Sequence, residues 1–76
     1  MENFLIDKID ELAFSVVEVN DVLWETGILD SISVVELAVE IENEYEIKIP
    51  FDEITIENFE TISNLIKYIT KKKKYA

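Results

Sequence analysis

One Asp-Ser pair, Asp30–Ser31, stands directly before the apolar, acidic stretch in GILDSISVVELAVEIENEYEIKIP, residues 27–50. A serine hydroxyl in such a place can be a nucleophile, a phosphorylation site or an attachment point. Nucleophilic attack requires a general base, and the chain contains no His and no G-x-S-x-G elbow. Cys is also absent, which removes a Cys-His pair and the usual structural zinc sites. With one Gly and one Pro, neither a glycine-rich phosphate loop nor a glycine-containing calcium loop can be assembled. No residue is therefore assigned a catalytic or metal-binding role, and the chain is not expected to be an enzyme. A serine at a helix start is ordinarily a cap. A phosphate there is also well placed, because backbone N–H groups and the helix dipole attract an anion. An attached phosphodiester fits these residue types best.

The elements that must position Ser31 follow from periodicity. In NFLIDKIDELAFSVV, Leu5, Ile9, Leu12 and Val16 recur on one helical face and predict a first helix. Between Ser15 and Asp30 the pattern degrades, and β-branched residues, Asn20, Asp21 and Gly27 predict a long ordered loop. Leu23, Trp24, Ile28 and Leu29 are expected to pin it to the core, with Trp24 as packing rather than a ligand group. Asp30 or Ser31 can cap the second helix, which runs to about Tyr45. The segment EIKIPFDEI alternates and carries the proline connection. Thr55 is expected to cap a short helix to about Glu60 and Thr61 a final one, in which Ile62, Leu65, Ile66 and Ile69 share a face. Lys71–Lys74 fall at its C-terminal end, where cations suit the dipole. The expected fold class is all-α, a small four-helix bundle with a short third helix. Residues 1–76 read as one domain, with 70–76 a frayed lysine-rich tail.

Around the second helix, in steps of about 100°, Val34, Leu37, Ala38, Ile41 and Tyr45 form a core stripe. Glu36, Glu40, Asn43 and Glu44 form a polar one. Ile32, Val35 and Val39, with Glu42 beside them, form a second apolar group that burial against the loop could cover. Small apolar side chains rimmed by carboxylates also have the character of a docking surface. Charge agrees with that. The chain carries 17 acidic and 7 basic residues, net −10, and residues 1–66 hold every acid but only Lys8 and Lys48. Nucleic acid would be repelled, whereas basic protein surfaces would be steered toward it. Neighbouring carboxylates such as Asp52 and Glu53 could be bridged by divalent cations. The N-terminus has no basic-then-apolar leader and no run is long enough for a membrane span, so a cytoplasmic location is expected.

GILDSISVVELAVEIENEYEIKIP resembles the Asp-Ser-Leu region of acyl carrier proteins and of the related peptidyl and D-alanyl carrier proteins. DVLWETG before the serine and NFETISNLIKYI near the end extend the resemblance over nearly the whole chain, in the right order. The resemblance implies a four-helix bundle whose serine, Ser31, receives 4′-phosphopantetheine from a phosphopantetheinyl transferase that uses coenzyme A, with Asp30 beside it. The arm would bring the thiol that a Cys-free chain lacks and carry an acyl or aminoacyl group as a thioester. Such a stand-alone carrier, expected to be a monomer, would meet a loading ligase and downstream transferase or synthase enzymes with basic docking surfaces. Ile32, Val35, Glu36, Val39, Glu40, Glu42 and Glu44 are the candidate contact residues. Ile32 stands where Leu or Met is commoner in the family, and Ser33 where fatty-acid carriers usually have an acid. GILDS and PFDEITIENFET are closer to D-alanyl carriers and to some carriers of specialised pathways. Two other readings stay open at this point. One is an acidic helical interaction module that is never modified; the other takes Lys71–Lys74 as a membrane-surface patch, against the acidity of the rest.

Overall fold

The computed structural model describes residues 1–24 and 27–74. Four α-helices follow one another: α1 (Glu2–Ala13), α2 (Ser31–Tyr45), α3 (Ile56–Phe59) and α4 (Ile62–Lys74). A single 3-10 turn, Phe51–Glu53, lies between α2 and α3 and was not anticipated from the sequence. No strand occurs among the described residues. No described helix is long and apolar enough to cross a membrane.

Helix α1 buries Leu5 and Ile9 completely and leaves Leu12 half-buried. The expected continuation of this face to Val16 does not occur. The helix ends at Phe14, whose backbone is left-handed with φ 54° and whose N–H donates to the Asp10 carbonyl at 2.9 Å. Ser15 Oγ then donates to the Ala13 carbonyl, a local bond that competes with helix continuation. Val16 is left exposed, and Val17 takes the buried place instead.

The long loop is anchored as its apolar residues required. Leu23 and Leu29 are buried, with Trp24 and Ile28 packed against the core. The indole N–H of Trp24 is buried without a hydrogen-bond partner, consistent with a packing role that tolerates some polar cost. Leu29 N–H donates to Leu23 O at 3.0 Å just ahead of α2. Two backbone bonds fasten the loop to the junction of α3 and α4, Leu23 N–H to Glu60 O at 2.8 Å and Ser63 N–H to Val19 O at 3.0 Å.

After α2 the chain alternates, with Ile47 and Ile49 buried and Glu46, Lys48 and Pro50 exposed. Thr55 Oγ1 accepts from Asn58 N–H and Thr61 Oγ1 from Asn64 N–H, so both threonines cap as their types suggest. Ile62, Leu65 and Ile69 of α4 are fully buried, and Ile66 is half-buried. Helicity persists through Lys74 rather than fraying from residue 70. Lys72 is paired with Glu53 at 2.8 Å, and Lys73 Nζ reaches the Tyr45 carbonyl at 3.2 Å, so the last turn has tertiary partners besides the favourable dipole. Residues 75 and 76 lie outside the described residues.

These contacts set the polarity of the bundle. Phe4 meets Tyr45 edge-on with ring centroids 5.5 Å apart, and Lys8 meets Glu40, so α1 and α2 run antiparallel. Lys73 at Tyr45 places the C-terminal ends of α2 and α4 together. The first residue of α2 therefore sits at one pole, beside the fastened loop, and the lysine-rich end of α4 at the other. The radius of gyration, 11.2 Å, matches the ~11 Å expected for a packed chain of this length.

Candidate functional site at the start of helix α2

Ser31 is the first residue of α2 and is exposed. Its cap is Asp30, which has extended backbone geometry and whose Oδ1 accepts from Ile32 N–H at 3.1 Å and Ser33 N–H at 2.7 Å. Of the two cap candidates the aspartate takes the role, because its carboxylate reaches both orphan donors at once. The Ser33 N–H foremost, then the Ser33 side chain and the Ile32 N–H, hold the Asp30 carboxyl below the usual aspartate range, despite slight desolvation. Asp30 is therefore ionised at neutral pH. Val34 N–H is used as well, donating to Asp30 O.

This arrangement bears on how an anion would sit at the helix start. Two of the four orphan donors at the helix start, the Ile32 and Ser33 N–H groups, are already committed to the Asp30 carboxylate, which stands where an anion cradle would form. Ser31 is exposed, so a phosphate on its hydroxyl would have room to extend into water. The Ser31 hydroxyl itself has no hydrogen-bond partner among the described residues. An exposed, unbonded hydroxyl held at the tip of a capped helix suits a tether that must remain mobile, and on that ground the residues present fit a covalent phosphopantetheine.

The second apolar group of α2 is uncovered. Ile32 is 69%, Val35 37% and Val39 47% exposed, whereas Val34, Leu37, Ala38 and Ile41 on the neighbouring stripe are buried. The loop leaves the group open because its own apolar residues turn to the core. Val39 lies about 12 Å along the axis from Ser31, so the strip leads up to the serine.

The carboxylates divide. Glu36 and Glu44 are exposed and make no ion pair among the described residues. Glu40 is half-buried and pairs with Lys8 at 3.4 Å, tying α2 to α1. The same lysine reaches Glu11 at 3.0 Å. Glu42 departs furthest from the docking-face reading: it is half-buried, and its Oε2 accepts from Ile49 N–H at 2.8 Å, holding the chain that leaves α2. Its partner is a backbone group seven residues on, which a helical wheel does not display.

Asp52 and Glu53 have different surroundings. Glu53 accepts from the Tyr68 hydroxyl at 2.5 Å and pairs with Lys72, while Asp52 is exposed. Among the described residues no cluster of three or more His, Cys, Asp or Glu side chains is arranged to hold a metal ion. Lys72 first, then Tyr68, lower the Glu53 pKa, and burial first, then Glu53, hold the Tyr68 phenol well above its usual value. Sequence periodicity gave no sign of this clasp or of the exposed Phe14, Phe51 and Ile56 side chains.

A capped helix carrying an exposed serine at its tip and an open apolar strip behind it defines a carrier-type scaffold rather than a reaction pocket. Residues 8–69 match the family described as "Phosphopantetheine attachment site". The chain is 37% identical over 71 residues to the D-alanyl carrier protein of Streptococcus uberis, covering 88% of this chain and 87% of that one. It is 33% and 32% identical, each over 69 residues and with the same coverage, to the D-alanyl carrier proteins of Streptococcus gordonii and Streptococcus sanguinis. The chain belongs to the phosphopantetheine-dependent carrier protein family, and its prosthetic group is a covalently attached 4′-phosphopantetheine.

Proposed function

We propose that the whole described chain works as one carrier domain and that Ser31 is the attachment point for 4′-phosphopantetheine, supplied from coenzyme A by a phosphopantetheinyl transferase. The observation that carries this reading is the exposed, unbonded Ser31 hydroxyl at the first position of a helix whose cap is already provided by Asp30. When attached, the group supplies a thiol on which an acyl or aminoacyl unit is held as a thioester. The names of the relatives support D-alanine as that unit, which a loading ligase would deliver and a downstream transferase or synthase would collect.

The chain's own residues then have distinct tasks. Asp30 fixes the start of α2 and so the direction in which the Ser31 hydroxyl is offered. Glu36 and Glu44 steer basic enzyme surfaces, and Ile32, Val35 and Val39 give the desolvated contact once the enzyme arrives. Glu40 contributes to that field while also joining α1 to α2. Glu42 acts on partners only indirectly, by holding the segment after α2. The reading places this work in the cytoplasm, where coenzyme A is at hand for the transferase.

Incubation with coenzyme A, magnesium and a broad-specificity phosphopantetheinyl transferase tests the reading. The wild-type chain should convert to one heavier form, and Ser31→Ala should not convert. Modification that persists in Ser31→Ala would remove the assignment, and absence of any modification in the wild type would return the chain to the class of unmodified acidic interaction modules.

A further inference from the structure

The seven lysines are used unequally. Lys8 pairs with Glu11 and Glu40, Lys72 pairs with Glu53, and Lys73 donates to the Tyr45 carbonyl. Lys48, Lys67 and Lys71 make no ion pair within the described residues, and all three line one groove of about 830 Å³ between the segment after α2, α3 and α4. Lys67 and Lys71 come from one turn of α4, and Lys48 faces them from the alternating segment.

The remaining groups of the groove decide what it can take. Asn58 and Asn64 each commit an amide hydrogen to a backbone carbonyl, of Glu53 at 2.9 Å and of Glu57 at 3.1 Å, so their oxygens remain as acceptors. Tyr68 donates to Glu53, which Lys72 neutralises. Glu46 and Glu57 also line the groove without an ion pair. A dense polyanion such as polyphosphate would meet these two carboxylates as well as the lysines. An extended peptide with spaced carboxylates offers each group its opposite: side-chain carboxylates to the ammonium groups, and backbone N–H groups to the amide and carboxylate oxygens. Alternate residues of such a strand lie about 6–7 Å apart on one face, which separates the charges.

We propose that this groove receives an extended acidic segment of a partner protein. The groove runs along α4 from Asn64 to Lys72, and none of its lining residues belongs to α2, which carries Ser31 and the open apolar strip. A partner held there leaves Ser31 and the apolar strip of α2 free for an enzyme, so one carrier could be retained by one protein and served by another. At an ionic strength of about 0.15 M the screening length is ~8 Å. Beyond that distance the acidic field of the rest of the chain is largely screened, and within the groove the three lysines without an ion pair, Lys48, Lys67 and Lys71, outnumber the two such acids, Glu46 and Glu57. The inference does not depend on what Ser31 carries, and the unmodified chain suffices to test it.

Nitrogen-15 NMR of the full chain, titrated with a blocked hexapeptide of alternating Glu and Ser, tests the proposal. Blocked Lys-Ser peptide and inorganic tripolyphosphate serve as the comparison arms. Saturable shifts should appear in residues 46–48, 57–58 and 64–72 with the Glu-Ser peptide and not with the Lys-Ser peptide, while Ser31 to Val39 stay unmoved. Lys67→Gln and Lys71→Gln should each weaken binding about two- to fivefold, the range of an exposed ion pair. Both side chains are exposed, so each variant should keep its helical fold, which circular dichroism checks. The proposal is overturned by absence of a saturable shift, by shifts centred elsewhere, or by a Lys67→Gln/Lys71→Gln chain that binds as the wild type does. Tighter binding of tripolyphosphate at the same lysines would reassign the groove to phosphoryl ligands. Concentration-dependent shifts of these residues without peptide would assign it to a second copy.

Discussion

At Asp30 and Ser31, two adjacent residues that could each cap a helix do different things. Asp30 holds the N–H groups of Ile32 and Ser33, and Ser31 is left without a structural task. Ser31→Ala should therefore leave the melting temperature within the ~0.5 kcal/mol range of exposed substitutions, whereas Asp30→Ala should lower it. The second effect has a definite pH dependence. The carboxyl of Asp30 is held below its unfolded value, so its contribution is present above the ordinary aspartate pKa and is lost as pH falls through the lower folded one. Melts of wild type and Asp30→Ala should differ most at neutral pH and converge in strong acid; a constant gap would contradict the cap assignment. The sequence narrowed the cap to these two residues but could not choose between them, because the choice rests on the extended backbone at Asp30.

Helix α2 carries a buried stripe and an open one side by side, and the two should respond differently to truncation. Leu37→Ala should cost ~2–5 kcal/mol, as for a fully buried large side chain. Val39→Ala should cost less than about 1 kcal/mol and instead speed dissociation from the transferase. Glu36→Lys should slow association and remove part of its salt dependence with helix content unchanged. Circular dichroism melts and surface-binding kinetics on the three variants check this. A badly destabilised Val39→Ala would show that the open stripe is core, and unaltered association of Glu36→Lys would remove the steering role. Both stripes were legible from about 100° spacing alone, because helix periodicity and the cost of burying charge act within one element. The roles of Glu40 and Glu42 were not, since Lys8 and the Ile49 N–H come from other segments. The end of α1 was misplaced for a similar reason: Val16 continues the apolar spacing, but Ser15 and the left-handed Phe14 stop the helix first.

Across the whole molecule, charge and polarity act together. Residues 1–66 carry a net −15, and Lys67 with Lys71–Lys74 gather at the end of the chain. The three ion pairs seen among the described residues, Lys8 with Glu11 and Glu40 and Lys72 with Glu53, relieve only a fraction of the repulsion. Raising ionic strength from low to physiological values should therefore raise the melting temperature, because screened repulsion among carboxylates outweighs screened attraction in a few pairs. A melting temperature unmoved by salt would show that the carboxylates are too widely spaced to matter. The order of the helices followed from periodicity, caps and family resemblance, but the placement of the serine and the lysines at opposite poles did not. It is set by contacts such as Phe4 with Tyr45 and Lys73 with Tyr45, which join residues far apart in sequence. The central claim is that Ser31 bears the loaded arm in the cell. Its most direct test is the mass of the intact protein taken from its native source with thioesters preserved, followed by mass analysis of the peptide that contains Ser31. The account predicts phosphopantetheine, with an acyl or aminoacyl unit on a fraction of molecules, and the whole added mass on Ser31. A native protein with the bare chain mass, or with the added mass on any other residue, would contradict it.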